Sequence, residues 1–274
     1  MSAILEVTVL GSGSSGGVPR ADGEWGACDP AEPRNRRSRC SMLARRIERK
    51  GGDPGEATTV IIDTAPELRQ QCAAAGVKRV DGVLITHDHA DQTNGLDDLR
   101  AFFLRNRFRT PCYMNEQTRE TLDRRFGYIF VDQPWYPAIC EARDVPDFGR
   151  AWAVDGPSGP IPITAFDQDH GSVRSVGYRL GPVAYSSDVV AIPEESFAAL
   201  DGVRLWIVDA LRYREHPTHA NVEQALRWIE RVQPERAVLT NLHMDLDYRT
   251  LAASLPQNVE PAYDGLRLEL ELVD

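Results

Sequence analysis

Apolar positions gather along the chain in short runs separated by turn-prone polar residues, and the runs predict strands and helices in alternation. Residues 4–10 predict a strand that passes directly into Gly11-Ser12-Gly13-Ser14-Ser15-Gly16-Gly17-Val18-Pro19, a stretch too rich in glycine to continue as strand or helix. Residues 58–63 and 80–86 predict two more strands, with a helix over 66–75 between them that Pro66 opens and Gly76 stops. Helical patterning follows at 95–104 and 116–126. Residues 127–160 mix prolines with Trp135, Tyr136, Phe148 and Trp152 at no clear period. They are expected to form a lid or insertion that shapes a pocket or a subunit contact, with ordinary core packing an equal reading of the aromatics.

The remaining pattern predicts strands at 161–166, 175–180, 183–186 and 204–208, a helix at 220–231, a strand at 236–240, a short helix at 248–254 and a last strand at 266–273. Two runs of strands with helices between them imply an α/β layered architecture. No internal repeat at fixed spacing and no low-complexity segment is visible, although a duplication of structure without sequence similarity would escape this reading.

Composition narrows the class. A chain of 274 residues, 42% of them hydrophobic, buries a large core as one domain or a tightly fused pair. Its 41 acidic and 31 basic residues give a formal charge of −10, which argues against a surface built to grip nucleic-acid backbones. No apolar run approaches the roughly 20 residues that span a bilayer. The opening Met1-Ser2-Ala3-Ile4-Leu5-Glu6 has no basic leader, so a cytoplasmic location is expected. The five cysteines (Cys28, Cys40, Cys72, Cys112, Cys140) are odd in number and scattered, and reduced thiols are the simpler reading. Arg34, Arg36, Arg37 and Arg39 form a basic run, expected to be a solvated face or a grip on an anionic substrate.

The candidate chemistry starts at the end of the strand over 80–86, in Thr86-His87-Asp88-His89-Ala90-Asp91. Two imidazoles two residues apart at a strand end can be aimed at one point, and imidazole with carboxylate is a ligand set for Zn²⁺, Mn²⁺ or Fe. His170 follows the strand at 161–166, Asp188 follows the strand at 183–186, His219 precedes the helix at 220–231, and His243 follows the strand at 236–240. Any one of these alone is an ordinary surface, core or cap residue; their joint order after an HxHxD motif favours a site. Asn241 and His243 share a face if strand geometry persists there. His216 is assigned a structural role at the helix entrance.

At these residues the chain resembles the metallo-β-lactamase superfamily. The opening Leu10-Gly11-Ser12-Gly13-Ser14-Ser15-Gly16-Gly17-Val18-Pro19, His219 before a helix and the ending Leu239-Thr240-Asn241-Leu242-His243-Met244-Asp245 look most like its phosphoribosyl cyclic phosphate phosphodiesterase branch. The resemblance implies one metallo-β-lactamase-like domain over 1–274, an αββα four-layer sandwich of two mixed sheets flanked by helices. It makes His87, His89 and His170 ligands of a first metal, Asp188 a bridge and Asp91 a ligand of a second metal.

Two positions depart from the family motif. Gln92 stands where it usually has a histidine after Asp91, and Asn241 stands where it has one directly after the threonine, leaving His243 as a substitute ligand. Amides are poorer zinc ligands than imidazole, so the second site is expected to be weak, to take a harder metal such as Mn²⁺, or to be absent. The structural zinc that some relatives hold through several early cysteines has only Cys28 and Cys40 to draw on here.

The expected activity is therefore metal-dependent hydrolysis with one or two divalent ions, of a small cyclic phosphate or nucleotide-like phosphodiester. A metal-activated hydroxide is the expected attacker, Asp91 its orienting group, and His219 a group that binds the phosphate or protonates the leaving oxygen. Two alternatives stay open: an RNA-processing nuclease or lactone or thioester hydrolase of the same fold, and a phosphate-binding protein with a degraded second site. Homo-oligomerisation is left open. A dinucleotide fingerprint at Gly11-x-Gly13-x-x-Gly16 and a serine elbow at Gly13-x-Ser15-x-Gly17 both fail for want of a following helix, and the glycines are read instead as letting the loop lie close to the metal site.

Overall fold

The computed structural model describes residues 3–48 and 56–272. Met1 and Ser2 of the opening, and Val273 of the expected last strand, lie outside the described residues.

Two seven-stranded sheets form the centre. The first comprises β1 (Ala3–Gly11), β2 (Ser41–Glu48), β3 (Thr58–Ile62), β4 (Gly82–Leu84), β5 (Thr110–Met114) and β6 (Cys140–Asp144), and β14 (Arg267–Leu272) lies beside β1, giving the order β14-β1-β2-β3-β4-β5-β6. The second runs β13-β12-β11-β10-β9-β8-β7, from β7 (Ala151–Val154), β8 (Ile161–His170), β9 (Val173–Leu180), β10 (Val183–Ser186), β11 (Leu205–Asp209), β12 (Arg236–Thr240) and β13 (Val259–Pro261). Read from β14 or from β7, each sheet has three antiparallel pairings followed by three parallel ones. The halves of the chain thus repeat one pairing pattern, a duplication invisible in the residue sequence.

Side-chain alternation explains the layers. Leu5, Val7 and Val9 of β1 and Val60 and Ile62 of β3 meet Ile163, Val176, Tyr178 and Ile207 of the other sheet in a core between the sheets. The opposite face of the first sheet (Leu43, Ile61, Val83) packs on α1 (Leu68–Ala74) and α4 (Glu116–Phe130). That of the second (Trp206, Val208, Leu239) packs on α5 (Val222–Val232) and α6 (Tyr248–Ser254). The result is the expected αββα sandwich. α5 illustrates the local logic: Asn221 caps it by accepting from Gln224 N–H at 2.8 Å, Val222, Ala225 and Ile229 form its buried stripe, and Gln233 ends it in the left-handed region at φ 52.

The structure revises one expectation and sharpens two. Residues 127–160 complete α4 and then supply β6 and β7, the edge strands of the two sheets, instead of a lid. The arginine run is divided: Arg34 and Arg36 are exposed, as a solvated face requires, Arg34 pairing with Glu32 and Arg36 lying over the Trp25 ring, whereas Arg37 is 2% exposed and donates to Leu246 O, His243 O and Asn35 Oδ1, and Arg39 pairs with Glu67. The early glycines serve backbone packing, since Gly13 bridges to Arg39 and Leu242 and a Cβ on Gly11 would sit 1.9 Å from Arg39 O. Ser12 and Ser38 each donate both N–H and O–H to Asp264, which knots this loop to the approach to β14.

All five cysteines are free and buried. Cys28 faces Arg37, Met244 O and Leu246 O, whereas Cys40 faces Gly13 O and Thr240, so the two share no metal-ligand arrangement. Among the described residues, no helix is long and apolar enough to cross a membrane.

Candidate metal centre

The site lies where strand ends of both sheets meet. His87 follows β4, Asp91 sits in the short helix α2 (Ala90–Thr93), His170 ends β8, Asp188 follows β10, and His219 precedes α5. Two overlapping groups of ligand atoms converge, with members within 4.8 Å of one another: His87, His89 and His170, and His170, Asp188 and His219.

Each side chain is held from behind. Thr86 donates its N–H and hydroxyl to the two oxygens of Asp63, at 2.8 and 2.9 Å, and its hydroxyl oxygen lies 2.9 Å from His87 Nδ1. Since the Thr86 proton goes to Asp63, the pair is completed by Nδ1–H of His87, leaving Nε2 as the lone pair. That Nε2 is buried and has no protein partner. His170 donates Nδ1–H to Thr218 O at 2.7 Å, which turns its Nε2 inward to 3.4 Å from His89 Nδ1. His219 Nδ1 is 2.8 Å from Asp209 Oδ2 and its Nε2 is 3.8 Å from Asp188 Oδ1. Asp188 adopts φ 55 and Asp63 φ 60, so β10 and β3, each the fourth strand of its sheet counted from β7 and from β14, are each followed by a left-handed aspartate.

The electrostatics follow from burial and neighbours. Burial pushes the His87 imidazole down to about 3, so it stays neutral, the state a ligand needs. Burial opposes ionisation of Asp188, yet His87, His219 and His170 around it hold its carboxyl down to about 2. Burial, reinforced by the nearby Asp188 charge, lifts Asp91 to about 6. For His219, burial disfavours the charge but hydrogen-bonded Asp209 and nearby Asp188 outweigh it and raise the ring to about 9.

Three convergent imidazoles, one of them desolvated and bare at Nε2, with a buried carboxylate beside them, fit a divalent cation. His170 Nε2 and His89 Nδ1 lie 3.4 Å apart, close enough to face one ion together.

His243 is placed elsewhere. β12 ends at Thr240 and Asn241 turns into the left-handed region at φ 61, so strand alternation stops and the two residues do not share a face. His243 Nε2 meets Arg20 at 2.9 Å and its Nδ1 lies 3.2 Å from Asp245. It belongs to neither ligand group, and the expectation that it fills a metal position is set aside. His216 stacks obliquely on His219 with ring centroids 5.0 Å apart. Burial first, and then the positive charges of Arg20 and Arg212, lower the pKa of His243, and burial with His219 lowers that of His216, so on this side two arginines stand beside two imidazoles that favour the neutral state. Asp63, Asp209 and Ser187 were not found from the sequence. The available signal was that Asp63 and Asp209 each close a run of apolar strand residues, where a carboxylate has no water to face.

A model of the beta-lactamase superfamily domain matches residues 58–244 of the chain. The chain belongs to the beta-lactamase superfamily. Within it, a solved diphosphatase of the PhnP family is 32% identical, covers 99% of this chain and 99% of its own, and superposes with a TM-score of 0.86. This superfamily member therefore sits in the PhnP branch of the metallo-hydrolases. An octanoyltransferase of Porphyromonas gingivalis is 32% identical over 271 residues, 96% of this chain, but the match takes in 51% of that protein, so the chain spans about half the length of that curated relative. Zn²⁺-bound PqqB from Methylobacterium extorquens shares the fold at 17% identity and a TM-score of 0.69, covering 97% of this chain and 100% of its own. Superfamily domains bind divalent metals such as zinc, and the histidine and aspartate cluster is the place for one here.

Proposed function

We propose that the protein hydrolyses a phosphoester bond of a small phosphorylated substrate, a phosphodiester or a diphosphate, with His87, His89, His170 and Asp188 holding a zinc or manganese ion. The observation that carries this reading is His219. Its Nε2 faces the same Asp188 oxygen that His170 faces, while Asp209 holds the rear of the ring at 2.8 Å. A divalent ion there would supply Lewis acidity toward a phosphoryl oxygen and lower the pKa of water.

The chain does the rest. Asp91, facing Asp188 across Gln92, orients the attacking water and takes its proton. His219 donates from Nε2 to the leaving oxygen, with Asp209 fixing the ring. Arg20 and Arg212 neutralise the phosphate oxygens that face away from the ion, and His216 and His243 hydrogen-bond to them. The arginine pair favours phosphoryl over lactone or thioester substrates, which carry no comparable anionic charge at the reacting centre. It also supports the diphosphatase activity of the PhnP-family relative as a better guide than the octanoyltransferase relative.

The test is a screen of aryl phosphodiesters, cyclic nucleoside phosphates, nucleoside diphosphates and lactones on protein loaded with Zn²⁺ or Mn²⁺. Turnover is expected on phosphoesters, and His219→Ala is expected to cut kcat by about 10²–10⁴-fold with metal content unchanged. Loss of metal in step with activity would make His219 a ligand, and turnover confined to lactones would overturn the reading.

A further inference from the structure

The two carboxylates that a second ion would need are already bridged by a side-chain amide. Asp188 points Oδ1 toward His170 Nε2 at 3.9 Å and His219 Nε2 at 3.8 Å, but its Oδ2 accepts from the Ser187 hydroxyl at 2.6 Å and from Gln92 Nε2 at 3.1 Å. The same Gln92 nitrogen lies 3.4 Å from Asp91 Oδ2. A primary amide nitrogen carries two protons, one for each carboxylate. The flipped amide would aim its carbonyl oxygen at two carboxylates, a repulsive arrangement, so the donor orientation is the one this pocket selects.

The Gln92 main chain is fixed beside these carboxylates, while its side-chain Oε1 is buried without a partner. The residue is fully buried, its N–H donates to His89 O at 3.1 Å and its carbonyl accepts from Thr64 N–H at 2.8 Å. Asn241, 1% exposed, directs its amide to the rear edge of His219, 3.1 Å from Nδ1, and not toward Asp91 or Asp188. The two amides therefore replace both imidazoles of a second site, and the Gln92 amide occupies the space between its carboxylates.

We infer that each chain holds a single metal ion, in the pocket of His87, His89, His170 and Asp188, and that the Gln92 amide takes the place of a second ion between Asp91 and Asp188. The inference rests on the metal-dependent reading above, and a metal count tests it without reference to turnover. Protein reconstituted with excess Zn²⁺ and dialysed should carry about one ion per chain by mass spectrometry, and the visible absorption of a Co²⁺ titration should saturate at about one equivalent. Q92H/N241H, which restores both imidazoles, should rise to about two; because N241H strains a left-handed backbone position, Q92H alone is the companion variant and should take up a second, weaker equivalent. About two ions in the unaltered protein would overturn the inference. So would retention of one ion by both variants while their circular dichroism shows them folded. One ion with no turnover on any phosphoester leaves this inference standing and defeats the proposed function, whereas no bound ion defeats both.

Discussion

His87 shows how far a ligand's competence depends on residues that never touch the ion. Its bare Nε2 exists because Thr86 occupies Nδ1, and Thr86 is oriented because Asp63 takes its proton. Asp63→Asn keeps the left-handed turn, which asparagine tolerates, but replaces one acceptor oxygen with a donor. Metal affinity, measured by chelator competition, is expected to fall about 10–100-fold with little change in fold; unchanged affinity would reduce Asp63 to a turn residue. This residue also marks the limit of what the sequence discloses. His87, His89, His170 and Asp188 were legible because imidazole and carboxylate types recur at successive strand ends in one order. Asp63 was not, because a lone aspartate after a strand reads as a cap until the fold brings it to Thr86. His243 misled for the complementary reason: its candidacy assumed strand geometry that ends one residue earlier, at Thr240.

At the scale of elements, strands with clean apolar runs such as β1, β3 and β12 could be read from pattern, as could α5 with its cap and stripe. β2 could not. Its Arg45 lies buried against Glu6 of β1 at 3.3 Å, so a charge stands where alternation calls for an apolar residue. The edge strands β6 and β7 are half-exposed and short, and the prolines between them suggested irregular chain. Glycines divide by what surrounds them. Gly11→Ala drives a Cβ into Arg39 O, where β1 and β2 meet through a bulge, and should destabilise by about 3 kcal/mol. Gly127→Ala in α4 meets nothing within 4 Å and should stabilise by about 0.5–1 kcal/mol. Urea unfolding of the two variants checks the pair, and equal effects would refute the packing account of the early glycines.

On the whole-molecule scale, the ligand set is divided between the two repeated halves. His87 and His89 come from the first, and His170 and Asp188 from the second. An ion bound across that seam stabilises the native state but not the unfolded chain. At about 100 times its dissociation constant it contributes roughly 2.7 kcal/mol, so chelation should lower Tm by on the order of 5–10 °C, reversibly on adding metal back. A Tm indifferent to chelator would place the ion outside the seam. The divided layout was legible only in part, because the αββα class followed from the family resemblance while the repeated pairing order has no counterpart in the residue sequence.

One pairing sets a schedule for biosynthesis. β14 is translated long after β1, yet it lies beside it, pairing Ala3 with Leu272 and Thr8 with Arg267. Until translation reaches it, the hydrogen-bonding edge of β1 has no neighbour, and a nascent chain exposes a ready template for pairing with other chains. The first sheet is thus open to misassociation for as long as β14 has not emerged, and its demand for chaperones is greatest in that interval.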